Sequence, residues 1–227
     1  MTHLDPRHMQ AVHARIAQLQ SPEMSQRLEG KVERINARIP GASRGNLIEQ
    51  AFRSSSNAKR LMWLRKEADI TQKAAEPESA CRAGCSHCCH INVLVPEPEA
   101  RVIAKEIGLH APAQPDPRNI LITGDYASDE GMAKFQREKE TRHMSHFGQP
   151  CPFLLNNQCS IYSFRPMVCR QQISLDDDEL LCRLVDGESI PVPYLNQQIS
   201  QAAQLILWGP QTRLADIRDW FPNGLSD

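Results

Sequence analysis

Aromatic residues make up only 5% of this 227-residue chain, and neither sign of charge dominates it: 26 Lys and Arg face 27 Asp and Glu, for a formal net charge of −1. A surface that grips single-stranded nucleic acid interleaves basic groups with aromatic platforms, and the composition favours neither, so nucleic acid is not an expected partner. Long apolar runs are missing as well. AAQLILWG at 202–209 falls far short of the roughly 20 residues that cross a bilayer, so no membrane partner is expected. The first 20 residues lack the apolar stretch and small-residue cleavage site of a secretory leader, and the expected location is cytoplasmic. There is no nucleophile elbow, phosphate loop, dinucleotide fingerprint or metalloprotease helix.

What the chain does have is sulfur. Its eight cysteines fall into two groups of four: Cys81, Cys85, Cys88 and Cys89, then Cys151, Cys159, Cys169 and Cys182. A reducing compartment disfavours a disulfide framework, and adjacent Cys88 and Cys89 would make a strained bridge. Thiolates are soft ligands for zinc, copper(I) and iron–sulfur clusters, which makes metal binding the leading explanation.

Cys81, Cys85 and Cys88 stand at i, i+4 and i+7, on one face if helical, and Cys85-x-x-Cys88 is a metal knuckle if the segment is a loop. Adjacent side chains diverge by about 100° on a helix and to opposite faces on a strand. Cys88 and Cys89 are therefore expected to serve different sites, unless Cys89 is merely packed in the interior. The expected first set is Cys81, Cys85, Cys88 and Cys169. Cys89 would then join Cys151, Cys159 and Cys182 in a second site, or some thiolates would bridge metals in one polynuclear centre.

His87 and His90 are further nitrogen donors, though sulfur suffices without them. His143-x-x-His146 has no matching carboxylate motif. The run Asp176-Asp177-Asp178-Glu179 lacks the spacing of a calcium loop and reads as a solvated loop. Asp129 and Glu130 read as helix-start charges.

The ordered set C-x3-C-x2-C-C at 81–89, CPFL at 151–154 and C-S-I-Y-x-x-R-P-x-x-C-R at 159–170 resembles the zinc- or iron-chelating cysteine-cluster family, the YkgJ-like proteins with a CxxCxxCC domain. The first spacing here is one residue longer than in that name. The resemblance implies metal ligation by the eight cysteines, Cys182 at a less regular position, with zinc or iron, or a [4Fe–4S] cluster, as cofactor. A related cysteine domain occurs in flagellin lysine methylases, where an iron–sulfur cluster is implied, but no glycine-rich nucleotide loop follows a strand here.

Four thiolates around Zn²⁺ or a [4Fe–4S]²⁺ core leave a charge of about −2 to be compensated. Arg165 and Arg170 flank Cys169 and are the expected support for the cofactor, with Pro166 starting a short helix. The expected function is chelation of zinc or iron. The alternative is an iron-dependent redox or protein-modifying enzyme built on the same centre. A metal ion is the expected partner, and the N-terminal helices offer a surface to a protein partner.

The expected fold is mostly α with a small β-hairpin element around a cysteine-rich metal-binding core. Residues 1–78 would form an N-terminal helical subdomain, 79–185 the cysteine-cluster domain and 186–227 C-terminal helices packed on it. Stripes Met9–Leu19, Leu28–Ile39 and Leu47–Leu64 give three helices, the third capped by Ser43 and broken near Ser54-Ser55-Ser56. INVLV at 91–95 reads as a strand, residues 97–107 and 128–146 as helices, and Asn156-Asn157 as the turn of a hairpin. Leu195, Ile199, Ala202 and Ile206 read as one buried helical face, and Leu214, Ile217 and Phe221 as a last helix. Residues 1–80 carry 13 Lys and Arg against 9 Asp and Glu, or +4, leaving 13 against 18, or −5, for the remainder.

Overall fold

The computed structural model describes residues 6–82, 84–122, 130, 133, 137, 146–183 and 190–225. Four helices come first: α1 (Pro6–Leu19), α2 (Pro22–Arg38), α3 (Ser43–Arg53) and α4 (Asn57–Ala75). Helix α2 begins where Ser21 Oγ accepts the Met24 N–H at 3.1 Å, and α4 where Ser56 Oγ accepts the Lys59 N–H at 3.3 Å. The serine run thus separates two helices. Ser43 does not cap α3. A turn from Pro40 delivers Ser43 already helical, and Ala42 takes the cap position without a side-chain bond.

A three-stranded antiparallel sheet lies beside the helices in the order β1 (Leu94–Pro96), β5 (Arg213–Asp216), β2 (Leu121–Ile122). Residues β3 (Leu154–Leu155) and β4 (Gln158–Cys159) form a hairpin whose turn, Asn156 and Asn157, has φ of 51° and 60°. The expected last helix is mostly this central strand. Leu214 pairs with Pro96 on one side and Leu121 on the other, and only one helical turn, α8 (Ile217–Trp220), follows. Between these strands lie α5 (Glu97–Glu106), which ends near Gly108 at φ +83°, α6 (Met167–Gln171) and α7 (Gln198–Trp208). The helix expected over 128–146 falls almost wholly outside the described residues, as do Asp129 and His143.

Trp220 is fully buried, donates its indole N–H to Val95 O at 2.9 Å, and anchors a core with Ile103, Phe153, Ile161 and Phe221. Cys151, Cys159 and Cys169 border that core. The basic arm is also tied down. Arg15 pairs with Asp176 and Asp178, Arg27 and Lys31 with Asp177, and Arg34 and Arg38 with Glu78. The acidic run is a loop whose first residue is an exception to the solvated reading: Asp176 is only 3% exposed, while Asp178 and Asp177 reach α1 and α2 from partly exposed positions. Opposite charges on the two parts of the chain meet here.

Helix α7 turns its expected inner face outward: Ile199 and Ile206 are 76% and 59% exposed, while Ser200, Ala203, Gln204 and Leu207 are buried. Two buried carboxylates explain the inversion. Glu67 accepts from Ser200 Oγ at 2.9 Å, and Glu99 accepts from Gln204 Nε2 at 2.8 Å and from the Met167 N–H at 2.7 Å. A buried carboxylate without such donors is costly, so the polar face of α7 is drawn inward.

Burial raises the Glu99 carboxyl from 4.5 to about 7. Between those values the unfolded chain has released this proton and the folded chain has kept it, so stability falls as pH rises through the window. Glu99→Gln removes the titration with little change of shape. It is expected to leave stability at pH 5 unchanged and to raise it at pH 8, by at most about 2–3 kcal/mol; thermal melts at the two pH values check this.

Candidate metal centre

Cysteines reach the centre from segments with little regular structure. Among the described residues of 79–93 the regular structure before β1 is one 3₁₀ turn, His87–His90, and Cys182 closes another, Leu180–Cys182. Cys159 ends β4, Cys169 lies in α6, and Cys151 precedes the hairpin. Cross-links between segments place them. The Cys151 N–H donates to Cys89 O at 2.8 Å, and the Gly148 N–H to His90 O at 2.8 Å. The Ser174 N–H donates to Cys81 Sγ at 3.3 Å, the Ala80 N–H returns to Ser174 O at 3.1 Å, and the Ser174 side chain hydrogen-bonds Cys182.

The thiols lie in one another's electrostatic field, and their couplings separate two sides. Cys182 feels Cys81, Cys85 and Cys88, whereas Cys169 feels Cys88, Cys151 and Cys159. Cys169 and Cys81 also line one small cavity. Cys88 is common to both sides. Cys89 acts on the Cys88 thiol as well and raises it.

Burial pushes the Cys151 thiol up to about 11 and the Cys182 thiol up to about 12, and raises Cys85, Cys159 and Cys169 as well. Cys88 is raised first by its bond to Cys89 and then by burial. Metal-free, these groups are neutral thiols at pH 7. Among the described residues no three or more His, Cys, Asp or Glu side chains are disposed as they stand to hold a metal ion. The donor chemistry suits a thiophilic metal, but the sulfurs are not gathered about one point.

Arg165 and Arg170 are buried and act electrostatically on the thiols, Arg165 on Cys88, Cys159 and Cys169, and Arg170 on Cys159. Their hydrogen bonds run elsewhere. Arg165 reaches Gln72 and Tyr162 O and stacks on the Tyr162 ring at 3.7 Å; Arg170 reaches Asp69, Arg165 O and Ser163 O. His90 Nδ1 faces Ser86 O at 3.2 Å, and His146 engages Gln149 and Asp219 through its two ring nitrogens. Burial, then Arg183, lowers the His87 pKa.

Two residues at this centre carry no sequence signal. Ser174 bridges Cys81 and Cys182, and Tyr194, joined to Ser174 by a β-bridge, places its phenol in the field of Cys182, Cys88, Cys81 and Cys85. A small cavity of about 40 Å³ touches Cys81 and Cys169 together with Gln72, Glu76 and Arg170. An open cleft of about 420 Å³ shares Gln72, Glu76 and Arg170 with it and carries Lys73, Tyr162 and Arg165.

Among the described residues no helix is long and apolar enough to cross a membrane. No curated protein and no solved structure matches the chain. The span that holds all eight cysteines does match a family model: residues 80–185 are similar to the CxxCxxCC family, described as "Putative zinc- or iron-chelating domain".

Proposed function

We propose that the chain binds zinc or iron through its cysteine thiolates, which the metal would draw together from their metal-free positions, with Cys81, Cys85 and Cys182 on one side, Cys151, Cys159 and Cys169 on the other, and Cys88 with Cys89 between them. The observation that carries this reading is the cross-linking of the cysteine segments over distances of up to about a hundred residues, by Cys151 N–H to Cys89 O and Ser174 N–H to Cys81 Sγ. A bound metal supplies the positive charge that lets buried thiols ionise. The chain supplies the rest: Ser174 orients Cys81 and Cys182, and Arg165 and Arg170 offset the remaining negative charge.

Eight thiolates exceed what one tetrahedral ion needs, so more than one metal per chain is expected. Elemental analysis of anaerobically purified protein, with an absorption spectrum, tests both number and kind. A colourless protein with stoichiometric zinc favours a structural chelator. A brown, iron- and sulfide-containing protein favours the second reading, an iron-dependent redox or protein-modifying enzyme, for which the open cleft that shares Gln72, Glu76 and Arg170 with the small cavity at Cys81 and Cys169 is the specific support. Purified chain that takes up neither metal refutes both.

A further inference from the structure

The C-terminal segment lies beyond the matched domain, yet one of its side chains reaches into the cysteine region. The Arg218 guanidinium, in α8, is buried and donates to Cys89 O at 2.9 Å, Ile91 O at 3.2 Å, Gln149 O at 2.5 Å and Pro150 O at 3.3 Å. It is held in turn by Asp216, whose Oδ1 accepts from Arg218 Nη1 at 2.9 Å and whose Oδ2 accepts the Val93 N–H at 2.6 Å. The four carbonyls belong to two loops, 89–91 and 149–150, that carry Cys89 and lead into Cys151. Cys89 O also takes the Cys151 N–H.

We propose that Arg218 is a positioning residue of the thiolate centre, the clamp that sets the Cys89 loop against the Cys151 loop. A planar fork of five N–H donors serves four carbonyls and a carboxylate at once, which the three donors of a lysine ammonium do not. The C-terminal strand and turn are thereby part of the site's support, although they lie outside the span that defines the domain.

The metal arm of the test rests on the chelation reading; the metal-free arm does not. Zinc affinity of the full chain is measured by competition with a chromophoric chelator for wild type, Arg218→Lys, and Leu61→Ala, a truncation of a fully buried side chain near the start of α4. Arg218→Lys is expected to remain folded by circular dichroism and to bind zinc about 10–100-fold more weakly. Leu61→Ala, with an equal or larger loss of thermal stability, is expected to bind as wild type does. Wild-type affinity in Arg218→Lys, or an equal loss in Leu61→Ala, overturns the proposal.

Should Arg218→Lys fail to fold, hydrogen exchange of unmutated, metal-free protein decides. The amides of Cys151 and Gly148 are expected to exchange together with that of Ile217, as one clamped unit; Cys151 exchanging freely while Ile217 stays protected contradicts the clamp. If wild type binds no zinc or iron, chelation fails as a function, and this exchange comparison alone judges Arg218.

Discussion

Stripping metal from the loaded protein at neutral pH is expected to loosen the cysteine loops while leaving α2 to α4 helical. The loops at 79–93 and 172–183 have few ladder hydrogen bonds of their own, so their order depends on cross-links such as Ala80 N–H to Ser174 O and Ser174 N–H to Cys81 Sγ. Structural zinc contributes apparent free energies of about 10–16 kcal/mol in small domains, enough to govern such loops. Amide exchange at Ala80, Cys85, Ser174 and Cys182 should accelerate by about 100-fold or more, read by mass spectrometry, with α4 unchanged. Unaltered exchange after verified metal loss would contradict a structural role for the centre.

The same removal introduces a pH dependence whose sign follows from the raised thiols. Folded Cys151 and Cys182 hold their protons to about 11 and about 12, against an ordinary 9.0 in the unfolded chain. Above pH 9 the unfolded chain has lost protons that the folded chain keeps, so metal-free stability is full below pH 9 and falls as pH rises beyond it. Metal binding must expel those protons and should strengthen with rising pH.

Cys88→Ser is expected to be the most damaging single cysteine replacement. Cys88 couples to Cys85 and Cys182 on one side and to Cys159 and Cys169 on the other. Its loss should remove most of the bound metal, whereas Cys182→Ser or Cys151→Ser, each at one side, should remove a part. Metal per folded chain, measured after equilibrium dialysis, separates these cases. A Cys88→Ser protein that retains as much metal as Cys182→Ser would refute the central position of Cys88.

Much of this architecture is legible in local patterns. The stripes of α1 and α2, the serine break before α4, the Asn156-Asn157 turn and the helix start near Pro98 all depend on neighbours a few residues away. The features that escape are long-range. Leu214 is in a strand because β1 and β2, each about a hundred residues earlier, pair with β5 on its two edges. Helix α7 is inverted because Glu67 and Glu99, buried by other elements, claim Ser200 and Gln204. Asp176, first in the acidic run at 176–179, looks solvated until α1 is folded against it.

The cysteines themselves were readable as a metal-binding set from their residue type and segregation. Their grouping is not legible there, because it depends on long-range cross-links such as Ser174 N–H to Cys81 Sγ and Cys151 N–H to Cys89 O. Arg218 carries no local motif.

X-ray absorption at the edge of the bound metal tests the thiolate centre most directly. A first shell of about four sulfurs per metal, with Cys88→Ser lowering the sulfur count or the metal content, is the expected result. A shell dominated by nitrogen or oxygen, unchanged in Cys88→Ser, would contradict it.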